Sequence, residues 1–158
     1  MNDDADPLAE DLVALSGAAR PRDTRRSLPI ALLRAREAVM ARFRPMLAQH
    51  DINEQQWRVI RVLCESGELD ATELAERALV LAPSLTRMLK SLKTRKLIVM
   101  RKDKNDGRRT LISNTPAAQT LIEAVAPEST AIYRDLEQGL GKAEMERLLD
   151  LLESTARL

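Results

Sequence analysis

The sequence has few of the residues that many classes of enzyme and binding site require. Its 158 residues include one cysteine and one histidine, which excludes an internal disulfide and a cysteine-rich metal site. It contains no glycine-rich phosphate loop and no cluster of metal ligands. We therefore expect no catalytic residue, no bound metal and no cofactor, and an enzyme is the least supported class of function.

Aromatic residues and long apolar runs are also scarce. Aromatics make up 2% of the chain and hydrophobic residues 44%, so the core must consist mainly of Leu, Ile, Val, Ala and Met, which favours a helical domain. No apolar run approaches the ~20 residues that span a bilayer. The acidic segment MNDDADPLAEDL lacks the basic flank of a signal peptide. We expect one cytoplasmic domain with no membrane partner.

The net charge of +1 conceals an uneven distribution of charge along the chain. Residues 87–109 carry ten basic side chains against two acidic ones, whereas residues 116–158 carry four basic and eight acidic ones. Such asymmetry indicates a surface for an anionic partner. Taken alone, a basic run is better explained as a solvated face without a partner, so the surrounding elements must decide.

Two capping boxes mark consecutive short helices. Asn53 with Gln56, and Asp70 with Glu73, have the spacing at which the two side chains bond each other's backbone N–H groups. After the first box, we expect four residues to face inward, with the thiol buried and inert: Trp57, Ile60, Leu63 and Cys64. A third helix follows, with an apolar stripe at helical spacing: Leu85, Met88, Leu89 and Leu92.

Longer helical patterns flank these short helices. One begins at Leu28 and is expected to end or kink at Pro45. Two more are predicted over residues 116–138 and 142–157. Their leucines exceed what one small domain can cover, which favours a two-fold homodimer. Residues 1–26 show little periodicity and are predicted to form a tail with a short extra helix.

After the third short helix, the apolar period changes from helical to two. The β-branched segments LIVMRK and TLISNT flank the polar tip DKNDGR, which is typical of a hairpin. Two short helices, the second with a basic outer face, followed by a basic-tipped hairpin, predict a winged helix-turn-helix. A helix fits the major groove of DNA, and an Arg-tipped loop fits the narrower minor groove. The predicted fold is mainly α with a small β-hairpin wing, and double-stranded DNA is the expected partner.

The order of these elements over residues 27–155 resembles the MarR family of transcriptional regulators. The most specific likeness is DGRR before TLISNT, which is similar to the family's Asp-x-Arg-Arg wing signature. The resemblance implies that Asp106 pairs with and orients Arg108, so that Arg108 enters the minor groove. Arg109 completes the signature and is expected at the same DNA-binding surface.

The segment APSLTRMLKSLKTRKLI resembles the family's recognition helix and its exit. The likeness implies base contacts from the first three of the following residues and phosphate contacts from the last two: Ser84, Thr86, Arg87, Lys90 and Lys93. The chain departs from the family at Lys96, where a glycine is usual. It departs again at GLGK, where a Ser or Thr cap is usual before the last helix.

The segment LPIALLRAREAVMARFRPMLAQHDINEQQWRVIRVL is most similar to the branch that includes the homoprotocatechuate-degradation regulators. This likeness implies a small aromatic carboxylate effector, which requires a cation or hydroxyls for its carboxylate and an apolar slot for its ring. The expected effector-binding residues are Ser27, Arg36, His50, Trp57 and Arg61. Simpler roles stay open: His50 as a helix-terminal residue, Trp57 as core, and Arg36 as the partner of Glu37.

The sequence thus predicts a DNA-binding lobe at residues 51–115 and dimerisation helices at residues 27–50 and 116–158. The predicted function is repression of an aromatic-acid catabolic operon, with release from a pseudo-palindromic operator by a phenolic carboxylate. The alternative is a non-specific architectural or RNA-binding winged-helix protein without a ligand response. Such a protein would bind scrambled duplexes equally well.

Overall fold

The computed structural model describes residues 27–158, which contain six helices and a three-stranded antiparallel sheet. In chain order these elements are α1 (Leu28–Gln49), α2 (Glu54–Ser66), β1 (Leu69–Asp70), α3 (Ala71–Arg77), α4 (Ala82–Thr94), β2 (Ile98–Lys102), β3 (Thr110–Asn114), α5 (Pro116–Leu140) and α6 (Lys142–Ala156). The described residues fall into two units, residues 27–39 and residues 40–158. The predicted tail, residues 1–26, lies outside the described residues.

Helix α1 does not end at its internal proline. Pro45 lies within α1, which continues to Gln49, so of the two expected effects, an end or a kink, the helix does not end at the proline. Proline removes one backbone N–H donor from the helix. Phe43, two positions before the proline, and Met46, directly after it, are buried, and their packing holds the last turn in place.

Both predicted capping boxes are confirmed. The Asn53 side chain accepts from the N–H of Gln56 at 2.9 Å, and the Gln56 side chain accepts from the N–H of Asn53 at 3.1 Å. Asp70 accepts from the N–H of Glu73 at 2.9 Å, and the Glu73 carboxylate accepts from the N–H of Asp70 at 3.2 Å. Local side-chain chemistry therefore fixes where α2 and α3 begin.

The inward stripe of α2 differs from the predicted one at its edge. Ile60 and Leu63 are buried, as predicted, and Val59 is buried beside them. Cys64 is exposed, so the prediction of a buried thiol is wrong. The stripe is centred one position earlier than expected, which leaves Cys64 on the flank of the helix with its Sγ 3.8 Å from Oε1 of Gln119.

The four predicted apolar positions of α4 are all buried, and they share one core with the sheet. Strand β3 lies between β1 and β2, and its central residue Ile112 is fully buried. The hairpin of β2 and β3, called the wing below, pairs Met100 with Ile112. The same apolar cluster therefore anchors both α4 and the wing.

Strand β1 was not predicted. It is two residues long and pairs Leu69 with Ile112 and Asp70 with Leu111. Two residues are too few to show a period of two in the sequence. The strand nevertheless brings the start of α3 to the side of the wing, which determines the ion pairs described below.

The last two helices carry much unburied apolar surface. Thr115 caps α5, with its side chain accepting from the N–H of Ala118, whereas α6 follows Gly141 without a side-chain cap. Helix α6 has no buried residue. Exposed side chains on α5 and α6 include Tyr133, Leu140, Leu148, Leu149, Leu151 and Leu152. Between Ser27 and Leu158, no helix combines the length and apolar character required to cross a bilayer.

Lys96, which stands where the family resemblance leads one to expect glycine, has a φ of 58°. A side chain in this left-handed region costs roughly 1–2 kcal/mol, and glycine avoids most of that cost while losing some chain entropy. We expect Lys96→Gly to raise the free energy of unfolding by about 0.5–1 kcal/mol in urea denaturation. As a control, Lys90→Gly in the interior of α4 should lower it by about 1 kcal/mol. An unchanged or lower value for Lys96→Gly would contradict the strain.

Candidate nucleic-acid interface

The outer face of α4 is polar and basic. Thr86, Arg87, Lys90 and Lys93 are exposed and Ser84 is partly exposed, whereas the opposite stripe of the helix is buried. The Thr86 hydroxyl donates to the carbonyl of Ala82 at 3.1 Å, so it keeps only acceptor capacity for a ligand. The predicted base-contact and phosphate-contact residues thus lie together on one accessible helix face.

The wing tip, residues 103–109, is organised by backbone hydrogen bonds. Asp103 accepts from the N–H of Asn105 at 2.8 Å, and Asp106 accepts from the N–H of Arg108 at 3.0 Å. Among the residues described, no ion pair joins the side chains of Asp106 and Arg108, and the contact between the two residues is this hydrogen bond to the backbone of Arg108. Asp106 instead shapes the turn and leaves the Arg108 guanidinium exposed at its tip.

Arg109, the next residue, has a different environment. Its guanidinium lies 2.5 Å from a carboxylate oxygen of Asp70 and 3.4 Å from one of Glu73. These are the two members of the α3 capping box. Arg109 therefore ties the base of the wing to the start of α3, and its charge is largely compensated within the fold.

A second ion pair joins the wing to the segment before α3. The guanidinium of Arg101, in β2, makes two hydrogen bonds to the carboxylate of Glu68, one of them 2.7 Å long between Nε and Oε1. A bidentate pair of this kind restrains orientation as well as distance. Sequence reasoning missed it, because the partner lies 33 positions away.

Arg95 holds the end of α4, and sequence reasoning missed it as well. Its guanidinium donates to the carbonyls of His50, at 2.9 Å, and of Asp51. These carbonyls belong to the turn between α1 and α2. A further contact, 3.4 Å from Nε2 of Gln56 to Oγ of Ser91, joins α2 to the same helix. Helix α4 is therefore fixed to the turn that ends α1.

The basic residues between positions 87 and 109 thus fall into two groups. Arg95, Arg101 and Arg109 are engaged with carbonyls or carboxylates of the fold. The other seven are exposed and form no ion pair within the described part of the chain: Arg87, Lys90, Lys93, Lys96, Lys102, Lys104 and Arg108. All of these except Lys96 lie on α4 or the wing, and six uncompensated cations on one helix and one hairpin are suited to a polyanion.

The two wing ion pairs change the acidity of their carboxyl groups. The hydrogen bond from Arg101 lowers the pKa of Glu68 below its ordinary value. For Asp70, the backbone N–H of Glu73 lowers the pKa most, and the bond from Arg109 lowers it further. A lowered pKa means that these carboxylates contribute stability at neutral pH, and that it is lost as pH falls through the lowered values.

The five predicted effector residues have diverse surroundings. Arg36 is exposed and bonds Glu37 at 2.7 Å, and Arg61 bonds Glu65 at 2.7 Å. Trp57 is half-buried against the core, while Ser27 and His50 are half-buried at the two ends of α1. The simpler role left open for Arg36 is therefore observed.

Two grooves of the second unit lie elsewhere. One, of about 390 Å³, is lined by residues including Cys64, Ser113 and Gln119. The other, of about 260 Å³, is lined by residues including Leu47, Ile52 and Asn53. None of the five predicted effector residues lines either groove. Across residues 27–158, no group of three or more His, Cys, Asp or Glu side chains is placed to hold a metal ion.

Comparison with known proteins places these features among transcriptional regulators. A family model described as "MarR family" matches residues 50–109. The homoprotocatechuate degradative operon repressor of Escherichia coli is 42% identical over 127 residues, which are 80% of this chain and 86% of that protein. The solved structure of NadR in complex with 4-hydroxyphenylacetate is 40% identical, with a TM-score of 0.76, and the match covers 87% of this chain and 98% of NadR. The repressor CouR, bound to a 23-mer DNA duplex, is 25% identical, with a TM-score of 0.76, over 82% of this chain and 92% of CouR.

The pairing of Arg109 with Asp70 gives a direct expectation for the variant Arg109→Met. In the wild-type protein, NMR titration should show the Asp70 pKa below its ordinary value, and in the variant it should rise part of the way back. The recovery should be incomplete, because the hydrogen bond from the backbone N–H of Glu73, which lowers the Asp70 pKa most, is still present in the variant. Arg101→Met serves as the control, which should raise the pKa of Glu68 and leave that of Asp70 unchanged. Identical Asp70 values in Arg109→Met and the wild type would contradict the pairing.

Proposed function

This chain belongs to the MarR family of transcriptional regulators, and we propose that it is a repressor that binds a specific DNA duplex as a homodimer. The observation that carries the proposal is the set of six uncompensated cations on α4 and the wing. Cations without internal partners replace counterions of the DNA backbone when they meet phosphates, which drives association. A binding protein of this kind has no need of catalytic residues, and we propose no enzymatic activity.

In the proposed complex, α4 lies in the major groove. Ser84, Thr86 and Arg87 approach base edges, and Lys90 and Lys93 reach phosphates. The exposure of these side chains along one face supports this assignment. Helix-turn-helix proteins place the N-terminal residues of this helix against the bases.

The wing contributes the second contact. Arg108 enters the minor groove, where its exposed guanidinium meets a stronger negative potential. Asp106 and Arg109 act by positioning, since Asp106 fixes the tip backbone and Arg109 fixes the base of the wing. We therefore assign the minor-groove contact to Arg108 and the positioning roles to Asp106 and Arg109.

A homodimer explains the apolar side chains that α5 and α6 leave exposed. Leucines of α6 that are 37–57% exposed form a surface with no cover in one protomer. A two-fold dimer would cover such faces and set two recognition helices about one turn of DNA apart, on a pseudo-palindromic operator.

The effector is proposed to be a small aromatic carboxylate. The likeness to a homoprotocatechuate operon repressor and to a protein crystallised with 4-hydroxyphenylacetate supports this class. Ser27, Arg36, His50, Trp57 and Arg61 remain its proposed contacts. Arg36 and Arg61 would have to exchange carboxylate partners to bind it. The effector would weaken operator binding by favouring a protein state in which the recognition helices are poorly spaced for DNA. The loss of operator affinity cannot exceed the difference between the effector's affinities for that state and for the DNA-binding state.

The DNA proposal predicts that two cations of the wing, Arg108 and Arg101, contribute differently to the salt dependence of DNA binding. The affinity for a duplex that the protein enriches from a random library should fall as salt rises. Arg108→Gln should reduce the slope of log affinity against log salt concentration by about one per contacted phosphate group. Arg101→Gln, which removes a cation already paired within the fold, should leave the slope unchanged even if affinity falls. Fluorescence anisotropy across a salt series measures both. Equal slopes for Arg108→Gln and the wild type would contradict the assignment, and equal affinity for scrambled duplex would favour the non-specific alternative.

The effector proposal predicts that 4-hydroxyphenylacetate raises the melting temperature of the protein and weakens its operator complex. A coupling of about 5- to 150-fold in duplex affinity is expected for a ligand-responsive regulator. Tyramine, which has the same phenol but an ammonium in place of the carboxylate, is the matched control and should have no effect. If a series of phenolic acids leaves the duplex affinity unchanged, the effector proposal fails and DNA binding stands by itself.

A further inference from the structure

Two leucines in the turn between α3 and α4 face solvent almost completely. Leu79 is 79% exposed and Leu81 is 78% exposed, while Val80 between them is buried. Neither leucine contributes its full apolar area to the core. Because most of their apolar surface stays in solvent, the two leucines gain little from folding and are accessible to a partner.

Leu81 occupies the N-cap of α4, a position where leucine is unfavourable. It offers no side-chain acceptor to the first turn, and α4 has no side-chain cap. Ser, Thr, Asn or Asp at such a position is typically worth ~1 kcal/mol over an apolar residue. The two preceding helices of the lobe are both capped by polar side chains. Leu81 therefore serves neither the core nor the helix end.

The surroundings of Leu81 identify the kind of partner. Ala82 and Pro83 follow it and are exposed, so α4 begins with three apolar residues before its polar and basic face. Pro83 has no N–H to donate to a base or phosphate. The major groove presents one apolar group, the C5-methyl of thymine. The residues at the start of a recognition helix are the ones that lie against base edges.

We propose that Leu81 contacts a thymine C5-methyl group in each half-site and so helps to determine the operator sequence. The proposal rests on the proposed function. It adds a specificity-determining residue that recognises a base through apolar contact instead of a hydrogen bond. Leu79 precedes α4 and is the matched comparison, since its exposure is nearly the same. Its backbone φ of 51° sets it in the turn rather than at the helix end.

The test uses the full-length protein and the duplex that it enriches from a random library. Each conserved thymine is replaced by deoxyuridine, which removes the methyl group and leaves base pairing unchanged. One replacement in each half-site removes two methyl groups and should weaken wild-type binding roughly 15-fold, which is about fourfold for each buried carbon group. Leu81→Ala should bind the thymine duplex with a similar loss and should not distinguish thymine from deoxyuridine. Leu79→Ala should retain wild-type affinity and wild-type sensitivity to the replacement.

The possible failures are separable. If no duplex is enriched over random sequence, the proposed function itself fails. If a duplex is enriched and bound but no deoxyuridine replacement weakens wild-type binding, Leu81 has no methyl partner and the inference is wrong. It is equally wrong if Leu81→Ala keeps the sensitivity or if Leu79→Ala loses it. Thermal melting of each variant confirms that it is folded, and the measurements on the wild-type protein stand without the variants.

Discussion

The buried apolar stripe of α4 is the constraint on which the arrangement of this lobe depends. Leu85 is 2% exposed and Leu92 is fully buried, and both belong to the cluster that includes Ile112 of the wing. One side of α4 is thereby held in the core, and its other side must face outward. Because the wing is anchored in the same cluster, the helix and the hairpin are presented together as a single surface rather than as two independent parts.

On that surface, sequence neighbours take opposite roles. Arg108 and Arg109 are adjacent and chemically identical, yet Arg109 is held by the carboxylates of the α3 capping box while Arg108 is left exposed. The pairing of β1 with β3 brings those carboxylates to the wing. The lobe thus uses part of its positive charge to fix its own geometry and leaves the rest for a partner. A basic patch counted from the sequence overstates the charge available for binding.

Local rules predicted much of this fold, and long-range contacts account for what they missed. Both capping boxes, the α4 stripe and the hairpin follow from patterns within a few residues. The error at Cys64 arose at the edge of a stripe, where one helical position separates a buried side chain from an exposed one. Asp106 does act on Arg108, but through its backbone N–H, a distinction that residue types do not carry. Arg95 could not be singled out within a basic run, since its acceptors are carbonyls of a distant turn.

The grip of Arg95 on the turn after α1 has an asymmetric consequence for how this protein tolerates change. Both acceptors are main-chain carbonyls, so neither the His50 side chain nor the Asp51 side chain takes part in the bonds. Only the donor, the Arg95 guanidinium, is a side chain. A substitution that keeps the backbone of the turn preserves both acceptors, whereas substitution of Arg95 removes both hydrogen bonds at once. The connection between the end of α1 and α4 therefore depends on the single side chain of Arg95.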